Sequence, residues 1–196
     1  MKTTLLLGIA LFCMVQFQTY SQQSEGEEIQ DTHWKPTHNF TVKRLLIFNK
    51  KNELLMEKIE SNWYPPSIVF DKRQHIKESV DSLVNGYGIA TKNLRLSAYL
   101  SFKYEYHPYV TLRPYYSMEY SSGELIVPEG REDVKWMPID EVMAKTPVEA
   151  MKETIKKITE YPRTVWSGTF MVYRKGEEHH TRQEEPMFPL FNTTDY

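Results

Sequence analysis

Cysteine is nearly missing from this chain: Cys13 is the one example in 196 residues, and it lies within the first 21. Removal of that segment excludes disulfides, a thiol nucleophile and thiolate metal sites. Net charge is also small. The formal value is −2, and Lys2 is the only charged residue in segment 1–21, so the remainder is one unit more negative. Such a chain has no general attraction for nucleic acid or an anionic membrane. The apolar run at residues 5–17 is too short for a comfortable membrane span. No Gly-rich phosphate loop, Gly-x-Ser-x-Gly elbow or His-Glu-x-x-His zinc helix occurs, and no internal repeat is visible.

What is present begins with a leader. Lys2 supplies a positive start, residues 5–17 are apolar apart from Gln16, and Thr19-Tyr20-Ser21 places small residues at −3 and −1 of a cleavage site. This is the three-part pattern of a secretory signal peptide, residues 1–21, and it implies an exported protein, periplasmic or secreted, with no membrane span after cleavage. Phe12 before Cys13 argues against lipidation, which needs a small residue there. Residues 22–39 are polar and acidic and read as a flexible lead-in. The ordered domain is expected over 40–174, with 175–196 as a charged tail.

The domain reads as α+β. Residues 42–48 and 54–59 are strand candidates around a turn at Asn49-Lys50-Lys51-Asn52. Pro65-Pro66 stops regular structure, and residues 67–70 form a short strand. Over residues 75–86, Ile76, Val80, Leu83 and Val84 fall on one helical face, and glycines follow. Residues 94–106 alternate with period two, with even positions apolar or aromatic, and residues 110–120 repeat the pattern after His107-Pro108. A polar loop is expected over 121–133. A short strand at 134–138 and a turn of helix at 139–142 follow. A helix over 147–160, with Thr146 as N-cap, and a strand over 165–173 close the domain.

Three groups of side chains have chemical potential. Glu78 and Asp81, three apart on the first helix, share a face, and a loop acid such as Glu124, Glu129 or Glu132 could join them. Glu177-Glu178-His179-His180 with Glu184-Glu185 has metal-binding residue types, but no zinc-site spacing, and reads as solvated charge. Trp63, Tyr99, Tyr115 and Trp136 are the aromatic contact candidates, with Tyr99 and Tyr115 on the otherwise polar face of the long hairpin.

The order of elements, with Leu45-Leu46-Ile47-Phe48, Leu54-Leu55-Met56, Trp63 followed by Pro65, a helix closing at Gly88-Ile89, and Val134-Lys135-Trp136-Met137-Pro138-Ile139-Asp140-Glu141-Val142, resembles the Nudix hydrolase family over roughly residues 40–160. The resemblance implies an α/β/α sandwich with a mixed sheet between flanking helices. It also implies metal-assisted cleavage of nucleoside diphosphate-linked compounds by glutamates of the box Gly-x5-Glu-x7-Arg-Glu-U-x-Glu-Glu-x-Gly-U, where U is aliphatic. Counting back from Gly88-Ile89, the opening Gly becomes Ser67, the first Glu becomes Arg73, Arg-Glu becomes Asp81-Ser82, and Glu-Glu becomes Asn85-Gly86, while Leu83 is kept. The packing positions survive and the charged ones do not. A hard dication needs clustered oxygen anions, and Arg73 opposes it.

The expectation is therefore a Nudix-like domain that has lost the family's metal chemistry and binds a small molecule or protein, with no nucleic-acid partner, no resident metal and no assigned cofactor. One alternative is a divergent hydrolase with a relocated Mg²⁺ or Mn²⁺ site on Glu78, Asp81 and Glu124. Another is an unrelated secreted β-rich structural domain.

Overall fold

Alternating side chains build the sheet from its centre. In β1 (Thr41–Phe48), Leu45 and Ile47 face one side and Leu46 the other, and all three are fully buried. The turn after it is clamped by Asn49, whose Oδ1 accepts hydrogen bonds from the Lys51 and Glu53 amides at 2.8 and 3.0 Å. Asn52, at φ 58°, takes the left-handed position that Asn tolerates, and β2 (Leu54–Ile59) returns antiparallel. A strand not expected from sequence, β3 (Asn62–Tyr64), follows through Glu60-Ser61. Both of those residues have positive φ, the backbone of a tight hairpin, without the Asn-Gly that normally announces it.

The computed structural model describes residues 41–70 and 75–192; the leader, the lead-in and Arg73 lie outside them. After β4 (Ser67–Phe70) comes α1 (Ile76–Gly86), which buries Ser79, Val80 and Val84. Gly88 ends the turn after it at φ 73°, and a Cβ there would run into the carbonyl of Glu124. The long hairpin is β5 (Ile89–Tyr104) and β6 (His107–Gly123), then β7 (Asp133–Met137), α2 (Ile139–Lys145), α3 (Glu149–Glu160), β8 (Thr164–Lys175) and β9 (Glu178–Asn192).

Among the described residues, nine strands form one mixed sheet in the order β3-β2-β1-β6-β5-β8-β9, with β4 on β1 and β7 on β2. The β1/β6 and β5/β8 pairs are parallel. Helix α1 covers one face through Val80, Val84, Leu45, Ile47, Leu55 and Met118. Helices α2 and α3 cover the other, where Val142, Met151, Ile155 and Ile158 meet Leu46, Leu100 and Phe170. The expected α+β sandwich of a mixed sheet between helices is the observed architecture. Each fully buried aliphatic side chain contributes about 1.5–3 kcal/mol relative to exposure, so the two covered faces hold the layers together.

Several boundaries differ from expectation. Residues 178–192 are not a charged tail but the edge strand β9, held by an antiparallel ladder running from Lys175↔Glu178 to Thr164↔Asn192. Its charges lie along the exposed edge, while Met187 packs toward the core and comes within 3.3 Å of where a Cβ on Gly168 would stand. Backbone pairing overrides a composition that reads as loop. Thr146 is not the N-cap of α3. It terminates α2, its amide donating to the Val142 carbonyl at 2.9 Å, and Val148 precedes α3. The polar loop is shorter than expected, because β6 runs on to Gly123. Irregularities between Lys92 and Arg95 and between Leu96 and Ala98 break the single alternation expected for β5. Leu94, expected inside, is therefore exposed.

Candidate functional site

The helix that aligns with the box presents no carboxylate cluster. Glu78 accepts a hydrogen bond from the His75 amide at 3.3 Å, closing the start of α1. Asp81 is paired with Lys77 at 2.5 Å, one turn away, and both acids are exposed. Glu124 is exposed in loop 124–132. Glu132 is tied elsewhere: it accepts from the Ser61 amide at 2.9 Å and pairs with Lys58 at 3.0 Å, and these bonds hold its carboxyl below the usual range. Among the described residues, no group of three His, Cys, Asp or Glu side chains converges as a metal site. Behind α1, moreover, Lys43 is buried with its Nζ donating to Ser79 Oγ at 2.6 Å. A cation beneath this helix opposes a dication on it. The residues present do not fit the family's Mg²⁺ or Mn²⁺ cluster.

The expected aromatic contacts separate into two kinds. Tyr115 is wholly buried and Trp63 is 8% exposed; both belong to the core under α2 and α3, so neither is offered to a ligand at the surface. Tyr115 keeps the side that alternation assigned to it, opposite Tyr116 and Met118, but α2 and α3 cover that side and bury the ring. Trp136 is half-buried, edge-on to Tyr120 with ring centroids 5.4 Å apart. Tyr99 stands exposed on the sheet.

On the α2–α3 face the sheet brings two arginines together. The parallel register sets Arg44 of β1 opposite Tyr115 of β6, and Arg113 lies two residues earlier on the same face. Arg113 lies 3.8 Å over the Phe102 ring and donates to Tyr104 Oη at 3.0 Å. Arg44 reaches the Pro65 carbonyl at 3.4 Å, on the turn that opens the box region. Among the described residues, each Nε is closed off from solvent with no hydrogen-bond partner, and neither guanidinium is ion-paired with a carboxylate. Burial disfavours the charge of Arg44, and Arg113 adds repulsion. Burial likewise pushes the neighbouring Tyr64 and Tyr115 phenols up. Each guanidinium carries five donors in a planar fork suited to the paired oxygens of a phosphate or carboxylate.

On the opposite face, Glu57 of β2 is fully buried. Its Oε2 accepts from Tyr87 Oη at 2.5 Å and from Arg131 Nε, while Oε1 has no partner. Burial and then the Glu57 charge push the Tyr87 phenol far above its ordinary value. Arg131 lies in loop 124–132, so this contact fastens that loop to the sheet.

Arg44, Arg113 and Glu57 were not singled out by sequence reasoning. The signal was there for two of them: Lys43-Arg44 heads an apolar run in β1, and Glu57 ends one in β2. Charges inside buried strands need a partner or a task.

No protein-family model and no curated protein matches the chain. Solved structures do. A MutT mutator protein of Bacillus halodurans superposes with a TM-score of 0.60 at 20% identity, over 75% of this chain and 99% of its own. A Nudix hydrolase of Nitrosomonas europaea gives 0.53 at 16%, over 62% and 89%. A MutT protein of Methanosarcina mazei Go1 gives 0.53 at 11%, over 66% and 99%. The fold is Nudix-like. At these identities the likeness is one of fold alone.

Proposed function

We propose that this Nudix-like chain is an exported, non-catalytic module that binds a small phosphate- or carboxylate-bearing ligand on the Arg44–Arg113 pair. The observation that carries the reading is two adjacent, half-buried guanidinium groups that repel each other and, among the described residues, form no ion pair with a carboxylate. A bridging oxyanion would relieve their mutual repulsion by accepting charge-assisted bonds from the terminal guanidinium nitrogens. In this reading fixed guanidinium charge meets the ligand directly, where the family draws positive charge from glutamate-held metals. Export rests on the 1–21 leader, and sequencing of the mature chain should find Gln22 at its N-terminus.

The test is titration calorimetry on residues 22–196 with pyrophosphate and nucleoside diphosphate-linked compounds, with and without a chelator. Binding should be insensitive to chelator and should weaken at least about tenfold in Arg113→Gln, the scale of one charge-assisted bond. Incubation with Mg²⁺ or Mn²⁺ should yield no cleavage. Metal-dependent turnover that disappears in a Glu78→Gln Asp81→Asn variant would overturn the proposal in favour of a relocated metal site.

A further inference from the structure

A cavity of about 570 Å³ opens at the far end of β1, where Phe48 leads into the clamped turn, and takes its lining from both sides of the sheet. That volume falls within the 300–1,000 Å³ typical of small-molecule sites. Its floor is apolar: Phe48, Met118, Ile139 and Ile158, supplied by β1, β6, α2 and α3. Its rim is cationic. Lys50 comes from the β1–β2 turn, and Lys92 and Arg95 flank an irregularity in β5.

The irregularity is what places them. Between the pairs Lys92↔Glu119 and Arg95↔Ser117, two residues of β5 face the single Met118 of β6. Asn93 takes φ 57° to accommodate the excess. Such bulges re-aim side chains, and here both flanking cations line the cavity. Glu119 is the only acid in the lining, and it is shared loosely with Lys92 at 3.7 Å. Lys50 and Arg95 make no side-chain hydrogen bond or ion pair among the described residues. The rim therefore carries an excess of positive charge above an apolar floor.

We propose that this cavity binds a small amphipathic anion, a hydrocarbon body under a carboxylate, sulfonate or phosphate head. The body removes apolar floor from water, and the head stays at the rim between Lys50 and Arg95. A neutral analogue would leave the cations unused, and a cationic one would be repelled.

Octanoate, octanol and octylammonium share one body and differ in head charge, and 2-naphthoate exchanges the chain for a ring. Calorimetric titration of the full chain should show octanoate or 2-naphthoate binding, octanol at least about tenfold weaker and octylammonium weakest, as expected for one charge-assisted contact. Lys50→Gln Arg95→Gln replaces two exposed side chains. It should erase the preference for octanoate over octanol while leaving the melting temperature and pyrophosphate binding unchanged. Arg113→Gln should leave octanoate affinity as it is, so this site and the paired arginines stand or fall separately. Equal binding of octanol and octanoate, undiminished octanoate affinity in the double variant, or no binding of any of the four probes would overturn the proposal.

Discussion

At the scale of single residues, the telling positions are charges inside strands. Glu57 has no solvent exposure, and its charge is compensated by Arg131, whose side chain is 27% exposed, and by the Tyr87 hydroxyl. Removing one member of such a pair strands the other in low dielectric, which costs more than the pair itself contributes. Arg131→Met should therefore destabilise the chain by roughly 2–4 kcal/mol, read by denaturant unfolding. Glu57→Gln in the same background should recover part of that loss, because it removes the stranded charge. Additive losses would show that the two side chains are not coupled. Lys43 belongs to the same class: burial lowers its pKa, and Ser79 Oγ accepts its hydrogen bond.

At the scale of elements, strand identity follows pairing more than composition. β9 has charged residues at Glu178, Arg182, Glu184 and Glu185 and prolines at 186 and 189, features that read as a tail. Charges and prolines are also what protects an edge strand from pairing with another chain. A chain ending at Gly176 would expose the β8 edge, where the buried Val165, Phe170 and Val172 lose their β9 ladder partners. That truncation should aggregate or elute as multimers on size-exclusion chromatography. A monodisperse, fully stable product would mean that β9 is dispensable. Helix α1 shows the reverse case, where sequence periodicity was sufficient: its stripe of Val80 and Val84 is buried, and its acids point to solvent.

At the scale of the whole molecule, the dense tyrosine content couples stability to alkaline pH. Burial is the first cause raising the phenols of Tyr64, Tyr87, Tyr115 and Tyr116. Folding favours the neutral phenol, so this contribution is complete below the unfolded value. It is lost as pH rises through the folded values, that is, above about pH 10. The melting temperature should fall steeply there, and phenolate absorbance should rise with unfolding instead of before it. Gradual phenolate formation in a still-folded chain would place these rings in contact with solvent.

The sequence alone determined the elements whose signal is local. These are the β1–β2 turn at Asn49–Asn52, the face of α1 and the short strand before α2, because each depends on neighbours within a few residues. Turn chemistry at Glu60-Ser61 and the irregularities in β5 were not legible, since they are imposed by pairing across the sheet. The same holds for the functional surfaces. Arg44 and Arg113 are far apart in the chain and meet through the parallel β1/β6 register. Lys50 and Arg95 reach one cavity only because a turn and an irregular strand end beside the same helices. Period-two alternation assigns a side chain to a face but carries no information about which strand lies next to it. Long-range register supplied that, and with it the positions of the charges.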